Sequence, residues 1–589
     1  VLEEMGTRCC TSTTHDTKTI MRRVEHEGLS FLTIALPQFA KDFEKSLDQG
    51  VVDSSVFVGY TKTGRLPRFL GGFVSRVFNP LDGHLLEEPC IDSIQAVRQI
   101  CLLFSKINLP CSDARVAKSL RGFIETEQAV KESDRNLEYA EMHKFKAMAI
   151  LLWSDLFRIV DETIFNVEVR PKHGPGATAD RISGNQKFNQ VEWTERLEEV
   201  FSASEFLLPN LRHFSYDEPQ FDYLTPEQER PVRVITVPKT LKTPRIIAIE
   251  PTCMQYVQQA LKEVIVEGIE RDDILSNFVG FSDQEPNRLA AEVGSRNGSL
   301  ATLDLSEASD RVSNQHVRNL FLYWQHLSRA VDACRSRKAD VPGHGVIRLA
   351  KFASMGSALT FPVEAMVFLT IIFLGIQEEY RRPLVRRDLE DFFGRVRVYG
   401  DDIIVPVEYV QSVVGKLHTF GYVVNASKSF WTGKFRESCG KEYYSGHDVS
   451  VVKVREMLPT QRQHAREIIS TVSLRNQMYF AGNWRTARFL DELLERLIPF
   501  PSVWPDSPGL GRHTLLPYQE DKVCPYLQTP LVRAAVEDAR IPSDNLDGSG
   551  ALLKWFLKRG DEPFLDEKHL ERAGRPRSVN IKTRWVSPY

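Results

Sequence analysis

The sequence predicts a protein of mixed α and β structure that is built from several subdomains. Its 589 residues, 42% of them hydrophobic, are enough to bury more than one hydrophobic core. Strand and helix patterns alternate over residues 230–450, which favours an α/β unit at the centre of the chain. We therefore expect three regions, formed by residues 1–229, 230–450 and 451–589.

The two outer regions are expected to combine helices with other structure. In the first of them, residues 31–36 are strand-like, whereas residues 119–161 give long, charged helical patterns. In the last region, helical patterns extend to residue 497, prolines recur over 499–530 and indicate extended loops, and a final helix is predicted at 551–558.

The composition is that of a globular protein with balanced charge. A net charge of -3 argues against a uniformly basic surface, so any contact with RNA must come from locally basic walls. The nine cysteines show no zinc-ligand spacing, and we expect reduced, mostly buried thiols. The most apolar run, residues 363–374, is too short to span a bilayer and predicts a buried helix. The N-terminus shows no apolar signal region. We therefore expect a cytoplasmic protein that does not bind a membrane.

Two segments of the central region present carboxylates. Residues 395–405 predict a β-hairpin, because alternating valines precede a Gly-Asp turn and a β-branched run follows. Its tip carries Asp401 and Asp402, whose mutual repulsion a divalent ion with oxygen ligands would relieve. Residues 300–306 predict a strand with Asp304 near its C-terminal end. Taken singly, the two segments could also be a solvated turn and a helix cap.

Together, the three carboxylates match the requirements of nucleotidyl transfer. Two metal ions roughly 3.5–4 Å apart activate a 3′-hydroxyl and neutralise pyrophosphate when carboxylates from separate strands bridge them. Asp304 and Asp401, which have no other obvious partner in the sequence, are the predicted direct ligands. Asp402 is expected to assist or to hold the second metal through water, and magnesium suits such a site.

A basic hairpin precedes these segments. Residues 231–247 predict two short strands around a loop, contain no acid, and place Lys239, Lys242 and Arg245 near the tip. A solvated basic hairpin is one interpretation. Opposite a metal-carboxylate site, a clamp for a triphosphate is favoured, since Lys supplies a point charge and Arg a bidentate donor.

The order of these motifs resembles that of viral RNA polymerases, and in detail that of the replicase β subunit of the single-stranded RNA bacteriophages, the Qβ-like leviviruses. The matching segments are VPKTLKTPRIIAIEP (237–251), DLSEASD (304–310), SMG (354–356), VYGDDIIVP (398–406) and FRESCGKEYYSG (435–446). The resemblance implies an α+β, right-hand polymerase fold, with a palm made of an antiparallel sheet backed by helices. It assigns the N-terminal region and fingers to 1–229, the fingertip hairpin and palm to 230–450, and the thumb and C-terminal region to 451–589.

The resemblance also implies roles for particular residues. The implied metal ligands are Asp304, Asp401 and Asp402. The residues implied to meet the incoming triphosphate are Lys239, Lys242 and Arg245. The residues that match the flexible turn and helix supporting template and nascent pair are Ser354, Gly356 and Thr360.

Three positions concern the sugar of the nucleotide. Reverse transcriptases generally carry a bulky aromatic residue five positions after the first metal aspartate, where this chain has Ser309, followed by Asp310. A small residue with polar partners favours ribonucleotides. Glu364 stands where many plus-strand virus polymerases carry Asn, which leaves the ribose-reading group open. A reverse transcriptase and an inactive RNA-binding scaffold are the competing functions.

Lys428 follows a predicted helix around residues 413–417 and a predicted strand at 422–424. In the resemblance this is motif D, which brings a lysine beside the departing pyrophosphate as a general acid. A surface lysine is the alternative, and His418 is a rival donor within the preceding helix.

Two further features have open roles. HGPGAT (173–178) is either a fingers element near template or a structural turn, and it lacks the lysine of a P-loop. The basic tail from Lys568 onward either contacts RNA phosphates or is a solvated terminus.

The resemblance finally implies two Mg²⁺ ions, for which Mn²⁺ can substitute, and action in the cytoplasm of a bacterial host. The implied partners are template and nascent RNA, ribonucleoside triphosphates, host elongation factors Tu and Ts, and an RNA-binding small-subunit ribosomal protein.

Overall fold

The computed structural model describes residues 1–214, 220–517, 520–558 and 578–589. The helices, labelled in chain order, are α1 (Leu2–Arg8), α2 (Thr14–Glu27), α3 (Leu36–Gln49), α4 (Gly71–Val74), α5 (Ile91–Leu102), α6 (Asp113–Asn136), α7 (Tyr139–Phe165), α8 (Glu195–Glu198), α9 (Ala203–Phe206), α10 (Thr252–Arg271), α11 (Glu285–Asn297), α12 (Ala308–Arg311), α13 (Asn314–Leu320), α14 (Gln325–Ala333), α15 (Thr360–Tyr380), α16 (Val410–Thr419), α17 (Ala465–Phe480), α18 (Trp484–Glu495) and α19 (Ser549–Lys558).

The strands are β1 (Lys62–Thr63), β2 (Leu66–Pro67), β3 (Glu192–Thr194), β4 (Asp222–Leu224), β5 (Val232–Val237), β6 (Arg245–Ile249), β7 (Leu300–Ser306), β8 (Lys338–Val341), β9 (Gly345–Arg348), β10 (Arg397–Tyr399), β11 (Asp402–Pro406), β12 (Val423–Val424), β13 (Phe435–Ser438), β14 (Lys441–Tyr444), β15 (His447–Asp448), β16 (Gly509–Leu510), β17 (Lys522–Val523), β18 (Pro530–Arg540) and β19 (Ser578–Val586).

The predicted metal ligands lie on a four-stranded sheet of order β10-β11-β7-β12. All three pairings in this sheet are antiparallel, which confirms the predicted hairpin at 395–405 and the strand at 300–306. The expectation of an α/β unit is wrong for this sheet, because α/β units require parallel neighbours joined by helical crossovers. The fold class is α+β, as the resemblance implies.

Helix α15 packs behind this sheet as a core helix. Its residues from Pro362 to Ile376 are buried, and Trp153 on α7 donates a hydrogen bond from Nε1 to Thr370 Oγ1 at 3.0 Å. Each fully buried Leu, Ile or Phe side chain contributes about 1.5–3 kcal/mol to folding. Within the described residues, α15 is the one helix long and apolar enough to cross a membrane, and 89% of its most apolar window is buried inside the protein. The buried helix predicted from residues 363–374 is confirmed.

The basic hairpin belongs to a second sheet of order β6-β5-β8-β9. Strands β5 and β6 pair antiparallel, with Val237 opposite Arg245, and confirm the two predicted strands around a loop. Strand β5 also pairs in parallel with β8, which fixes the hairpin to the body of the protein.

The prediction of a strand at residues 31–36 is wrong. Residues Phe31–Ala35 form a π-helical turn that continues directly into α3. The Phe31 side chain is fully buried, and the Thr33 hydroxyl donates to the Leu29 carbonyl within the helix. Burial of one helical face therefore outweighs the local strand preference of the aromatic and β-branched residues.

The N-terminal helices share a hydrophobic core with the segment that follows the central sheet. Phe39 and Phe43 of α3 belong to the same cluster of buried side chains as Phe430, Phe435 and Tyr444. The helical prediction for residues 119–161 is confirmed by α6 and α7.

The last region contains the predicted helices and a long β-ribbon. Helices α17, α18 and α19 lie where helices were predicted. The described part of residues 499–530 contains the short strands β16 and β17 and, at Pro530, the first residue of β18. Strand β19 pairs with β18 along its whole length, and Lys582 and Arg584 lie 2.7 and 3.6 Å from Asp538. Residues 578–586 are therefore not a loose terminus. The rest of the basic tail, from Lys568 to Arg577, lies outside the described residues.

The nine cysteines are free, as expected for reduced thiols. The buried members are Cys9, Cys101, Cys253, Cys334 and Cys439.

Candidate active site

The three predicted metal ligands meet at one end of the central sheet. Asp402 on β11 lies directly opposite Asp304 on β7, and Asp401 precedes it at the tip of the β10–β11 hairpin. The tight turn holds Gly400 at φ +62°, and a Cβ there would lie 2.3 Å from an atom of the Phe361 ring. Glycine is therefore required for the hairpin to present its carboxylates beside β7.

Burial and the mutual repulsion of the three carboxylates mean that a nearby positive charge would stabilise their ionised forms. Burial, followed by the charge of Asp401, raises the pKa of Asp402 to about 6. Burial and the charge of Asp304 also raise the pKa of Asp401. A hard divalent cation among the three would relieve both effects, and carboxylate oxygens are ligands that Mg²⁺ prefers. The donor set therefore fits the metal that the resemblance implies.

The carboxylates do not form a ready-made metal cage. Among the residues that the structure describes, no three His, Cys, Asp or Glu side chains are gathered so as to hold an ion. The Asp402 carboxylate accepts a hydrogen bond from the backbone N–H of Cys439 at 3.2 Å. Metal binding at these positions would require the carboxylates to exchange protein donors for the cation.

Asp304 has two side-chain partners, so the expectation that it has none is wrong. Its Oδ2 accepts a hydrogen bond from Asn425 Nδ2 at 2.9 Å, and its Oδ1 lies 3.1 Å from Lys428 Nζ. The backbone N–H of Asn425 also donates to the Asp304 carbonyl at 2.8 Å. Strand β12 pairs with β7 immediately before this point and so brings both partners to Asp304. Asn425 was missed, and its position just after a predicted strand was the signal that could have revealed it.

The charge of Lys428 is stabilised by its neighbours. Burial alone would lower the pKa of Lys428, but Asp304 and Glu437 outweigh burial, so the pKa lies above its ordinary value. The ammonium is therefore protonated at neutral pH beside a predicted metal ligand. His418 lies within α16, on the helix that precedes β12.

The three cations of the basic hairpin lie at its tip. Lys239 and Lys242 are in the loop between β5 and β6, and Arg245 begins β6. Arg115 on α6 holds this loop by donating from Nη1 to the Leu241 carbonyl at 2.9 Å. The basic hairpin is thus tethered rather than freely solvated.

Charges of both signs act on the pKa of Lys239 in this loop. Partial desolvation, followed by the charges of Arg245 and Lys428, lowers the pKa of Lys239, while Asp401 and Asp304 act to raise it. Lys239 is therefore within electrostatic range of both the anions and the other cations of the site.

Two lysines from the first 110 residues join this basic group and were missed. Burial, followed by Lys242 and Lys428, lowers the pKa of Lys41 on α3. Burial, followed by Lys239, lowers the pKa of Lys106 to about 8. Both lysines are remote in sequence from the recognised motifs, so no local pattern could have connected them to the site.

The segment 354–360 forms a constrained turn against β6. Gly356 has φ +138°, and a Cβ there would lie 2.0 Å from the Ala248 carbonyl oxygen. The Ala248 N–H donates to the Met355 carbonyl at 2.9 Å, and Thr360 Oγ1 donates to the Ser354 carbonyl at 2.9 Å. The Ser354 hydroxyl is buried and makes no hydrogen bond to any described residue.

Ser309 and Asp310 have well-defined polar partners. Ser309 Oγ donates to Glu364 Oε2 at 2.6 Å, and Lys351 Nζ donates to Asp310 Oδ1 at 2.9 Å. Glu364 is 4% exposed, and its burial raises the pKa of the carboxyl group to about 8. The Glu364 carboxyl group therefore carries a proton at neutral pH and is uncharged, as the amide of a glutamine would be.

We expect Glu364→Gln to stabilise the fold increasingly as the pH rises. The folded carboxyl keeps its proton up to about pH 8, whereas its ordinary pKa is 4.5. The unfolded chain therefore releases that proton first, and stability falls with pH across this window, by at most about 1.4 kcal/mol per pH unit. Gln keeps an acceptor for Ser309 and has no proton to lose. Midpoints of urea unfolding between pH 5 and 8 test this, and parallel profiles for variant and parent would contradict it.

The HGPGAT loop is held by an internal lysine. Lys187 is 3% exposed and donates from Nζ to the carbonyls of Gly174, at 2.9 Å, and Gly176. The His173 ring stacks on Tyr256 with 4.5 Å between centroids. These contacts account for the conformation of the loop.

Comparison with known proteins places the motifs in one family. The sequence model of the family "RNA replicase, beta-chain" matches residues 220–479, which include every predicted site residue. The chain is 35% identical over 223 residues to the RNA-directed RNA polymerase beta chain of Enterobacteria phage fr, covering 38% of this chain and 37% of that protein. It is 31% identical to the RNA-directed RNA polymerase subunit beta of Qbeta virus strain MX1, covering 49% and 47%.

A longer match has lower identity. The RNA-directed RNA polymerase subunit beta of Enterobacteria phage SP is 26% identical over 79% of this chain and 80% of that protein. Among solved structures, a BmCPV RNA-dependent RNA polymerase at the elongation state aligns with a TM-score of 0.38 and 10% identity over 59% of this chain and 33% of that one. The alignments to the phage fr and Qbeta proteins span less than half of those relatives. The family match covers residues 220–479, less than half of the chain, and over that part the sequence is similar to the RNA replicase beta chains of RNA bacteriophages.

Proposed function

We propose that the chain is an RNA-directed RNA polymerase, a nucleotidyltransferase that copies a viral RNA genome from ribonucleoside triphosphates. The observation that carries this proposal is the antiparallel register that sets Asp304 opposite Asp402, with Asp401 at the adjoining hairpin tip. A cationic loop lies within electrostatic range of these acids, as a reaction between a polyanion and a triphosphate requires.

In this proposal, Asp304 and Asp401 hold two Mg²⁺ ions directly, and Asp402 assists. When bound, such ions activate the 3′-hydroxyl and neutralise the pyrophosphate, and Mn²⁺ can replace them. Lys428 Nζ lies against Oδ1 of Asp304, so Asp304 would release Lys428 if a metal ion took that oxygen. That exchange would free the ammonium of Lys428 to approach the leaving group.

The cations have the role of binding the triphosphate. Lys239 and Lys242 supply point charges and Arg245 a bidentate donor to phosphate oxygens. Lys41 and Lys106 extend the same positive field from the N-terminal region. Burial, more than any other cause, lowers the pKa of both lysines, and the anionic oxygens of a triphosphate would stabilise their charged forms.

The turn at 354–360 has the role of supporting template and nascent pair. Its backbone is fixed to β6 through Gly356 and Ala248, while the Ser354 hydroxyl keeps its hydrogen-bonding capacity free of described partners. Thr360 ties the start of α15 to this turn.

Ser309 and Asp310 would admit the ribose, so Ser309→Phe should penalise ribonucleotides more than deoxynucleotides. A phenyl ring in place of the hydroxyl collides with a 2′-hydroxyl, and we expect kcat/KM for ATP to fall about 10- to 200-fold relative to dATP. Single-nucleotide incorporation on a primed RNA template measures both. Ser309→Ala, which removes the hydrogen bond to Glu364 without adding bulk, is the matched control. Equal losses for the two sugars would make Ser309 structural only.

Metal-dependent incorporation by the purified chain tests the proposed function itself. Ribonucleotide addition to an RNA primer-template should require Mg²⁺ or Mn²⁺ and stop with EDTA. Preferential use of deoxynucleotides would instead identify a reverse transcriptase. RNA binding without incorporation in either metal would identify a scaffold. The proposal includes the cytoplasm of a bacterial host as the place of action, and host elongation factors Tu and Ts and a small-subunit ribosomal protein as partners.

A further inference from the structure

Lys351 is a buried cation next to the predicted nucleotide site. Its side chain is 0% exposed, and Nζ lies 2.9 Å from Asp310 Oδ1 and 3.6 Å from Glu127 Oε1. The ammonium also lies 3.4 Å from the centre of the Phe123 ring. A fully buried ammonium is tolerated only when it is paired, so these three groups define where it can be.

The position of this ammonium is fixed from α6. Glu127 and Phe123 both lie on α6, and Glu127 is 1% exposed. Besides Lys351 Nζ, the Glu127 carboxylate accepts the backbone N–H of Ala350 at 2.7 Å and that of Lys351 at 3.4 Å. The Asn314 N–H donates to the Ala350 carbonyl at 3.0 Å from the other side. Backbone and side chain of Lys351 are therefore both anchored.

Asp310 depends on this anchored cation for its orientation. Its Oδ1 accepts the hydrogen bond from Lys351, and within the described residues the carboxylate accepts no other. The Asp310 side chain is 23% exposed, so part of it remains open to a ligand. The hydroxyl of its neighbour Ser309 already donates a hydrogen bond to Glu364. Asp310 is thus an acceptor with one oxygen held by Lys351 and the other available to a ligand.

We propose that Lys351 is a positioning residue for sugar selection, which holds the Asp310 carboxylate as an acceptor for a ribose hydroxyl of the incoming nucleotide. This inference rests on the proposed function. A ribose 2′-hydroxyl donates to the free oxygen of Asp310, whereas a deoxynucleotide lacks the donor and leaves a partly buried carboxylate unsatisfied. Lys351 acts only through Asp310 and does not touch the nucleotide.

Lys351→Met tests this inference, with Lys416→Met as a matched control. Lys416 is also a buried lysine between two carboxylates, 7% exposed and 2.6 and 2.5 Å from Glu141 and Glu378, but it pairs α16 with α7 and α15 away from Asp310. We expect Lys351→Met to lower the preference for ATP over dATP about tenfold or more, chiefly through KM for ATP. Lys416→Met should lose thermal stability to a similar extent and keep the preference of the parent.

A double-mutant cycle with Asp310→Asn separates an effect of Lys351 on the position of Asp310 from a general loss of structure. If Lys351 acts through Asp310, the double variant has the sugar preference of Asp310→Asn alone. Additive losses, or parent preference in Lys351→Met, would overturn the inference. If Lys351→Met does not fold, Lys351→Gln, whose neutral amide can still donate, is judged by the same cycle. The unaltered chain is assayed alongside, and its failure to incorporate any nucleotide would count against the proposed function instead.

Discussion

Asp304→Asn and Asp401→Asn are each expected to reduce nucleotide incorporation by several orders of magnitude while leaving the fold intact. The amide has the shape of the carboxylate but not its charge, so it cannot balance a divalent ion. Asp304 is part of β7 and Asp401 of a glycine-dependent turn, and neither backbone needs a charge there to fold. Single-turnover incorporation on a primed RNA template, over a range of Mg²⁺ concentrations, measures the loss.

Two controls distinguish a loss of catalysis from a loss of folded structure. Thermal midpoint and RNA affinity should stay close to those of the parent in both variants. Asp388→Asn removes a carboxylate that lies outside the site and pairs with Arg382 at 2.8 Å. This variant should retain full incorporation. Near-normal incorporation by Asp401→Asn would remove that residue from the proposed metal site.

The hairpin and strand that carry these acids could be predicted because their signals are local. Alternating valines, the Gly400-Asp401 turn and the β-branched run after it all lie within eleven residues. The register that sets Asp402 opposite Asp304 is a contact between residues about a hundred positions apart, and no local pattern specifies it. The resemblance to phage replicases implied that these acids share one metal site, but it did not give their register.

The failed prediction at residues 31–36 shows the opposite case. Phe31, Thr33 and Ile34 each favour a strand locally, yet the segment is helical because it continues into α3 and buries Phe31 in the N-terminal core. Burial of this segment in the tertiary structure determined its conformation, and a short window of sequence does not reveal which residues will be buried.

Polar partners of the site were also beyond local prediction. Asn425 meets Asp304 across 121 positions, and Lys351 meets Asp310 across 41. Lys41 and Lys106 reach the site from the N-terminal region, in a part of the chain without recognised motifs. Side chains that pair across a fold carry no periodicity of their own, so their roles emerged only from the three-dimensional arrangement.

Lys428→Leu is the second substitution with a large expected effect. If Lys428 is the general acid, its loss should slow incorporation about 10²–10⁴-fold with little change in nucleotide affinity. The structure places its ammonium 3.1 Å from Asp304 Oδ1, with a raised pKa that keeps it protonated. A proton donor is thus held beside a predicted metal ligand.

Lys428→His should retain more activity than Lys428→Leu and should move the pH-rate profile. Imidazole also donates a proton, but it loses its charge near pH 6.5, well below an ordinary lysine. The descending limb of the profile should therefore shift to lower pH in the histidine variant. Single-turnover incorporation measured across pH records both the rate and this shift.

The ion pair with Asp304 introduces a second explanation for any loss, and the assay must separate the two. If Lys428 merely orients Asp304, Lys428→Leu would raise the Mg²⁺ concentration needed for half-maximal rate, and saturating Mg²⁺ would restore the rate. A general acid is not replaced by more metal, so in that case the rate stays low at saturation. Lys434→Leu, which removes an exposed lysine six positions later, is the matched control and should behave as the parent. Parent rates in Lys428→Leu, or a loss confined to nucleotide affinity, would exclude Lys428 as the acid.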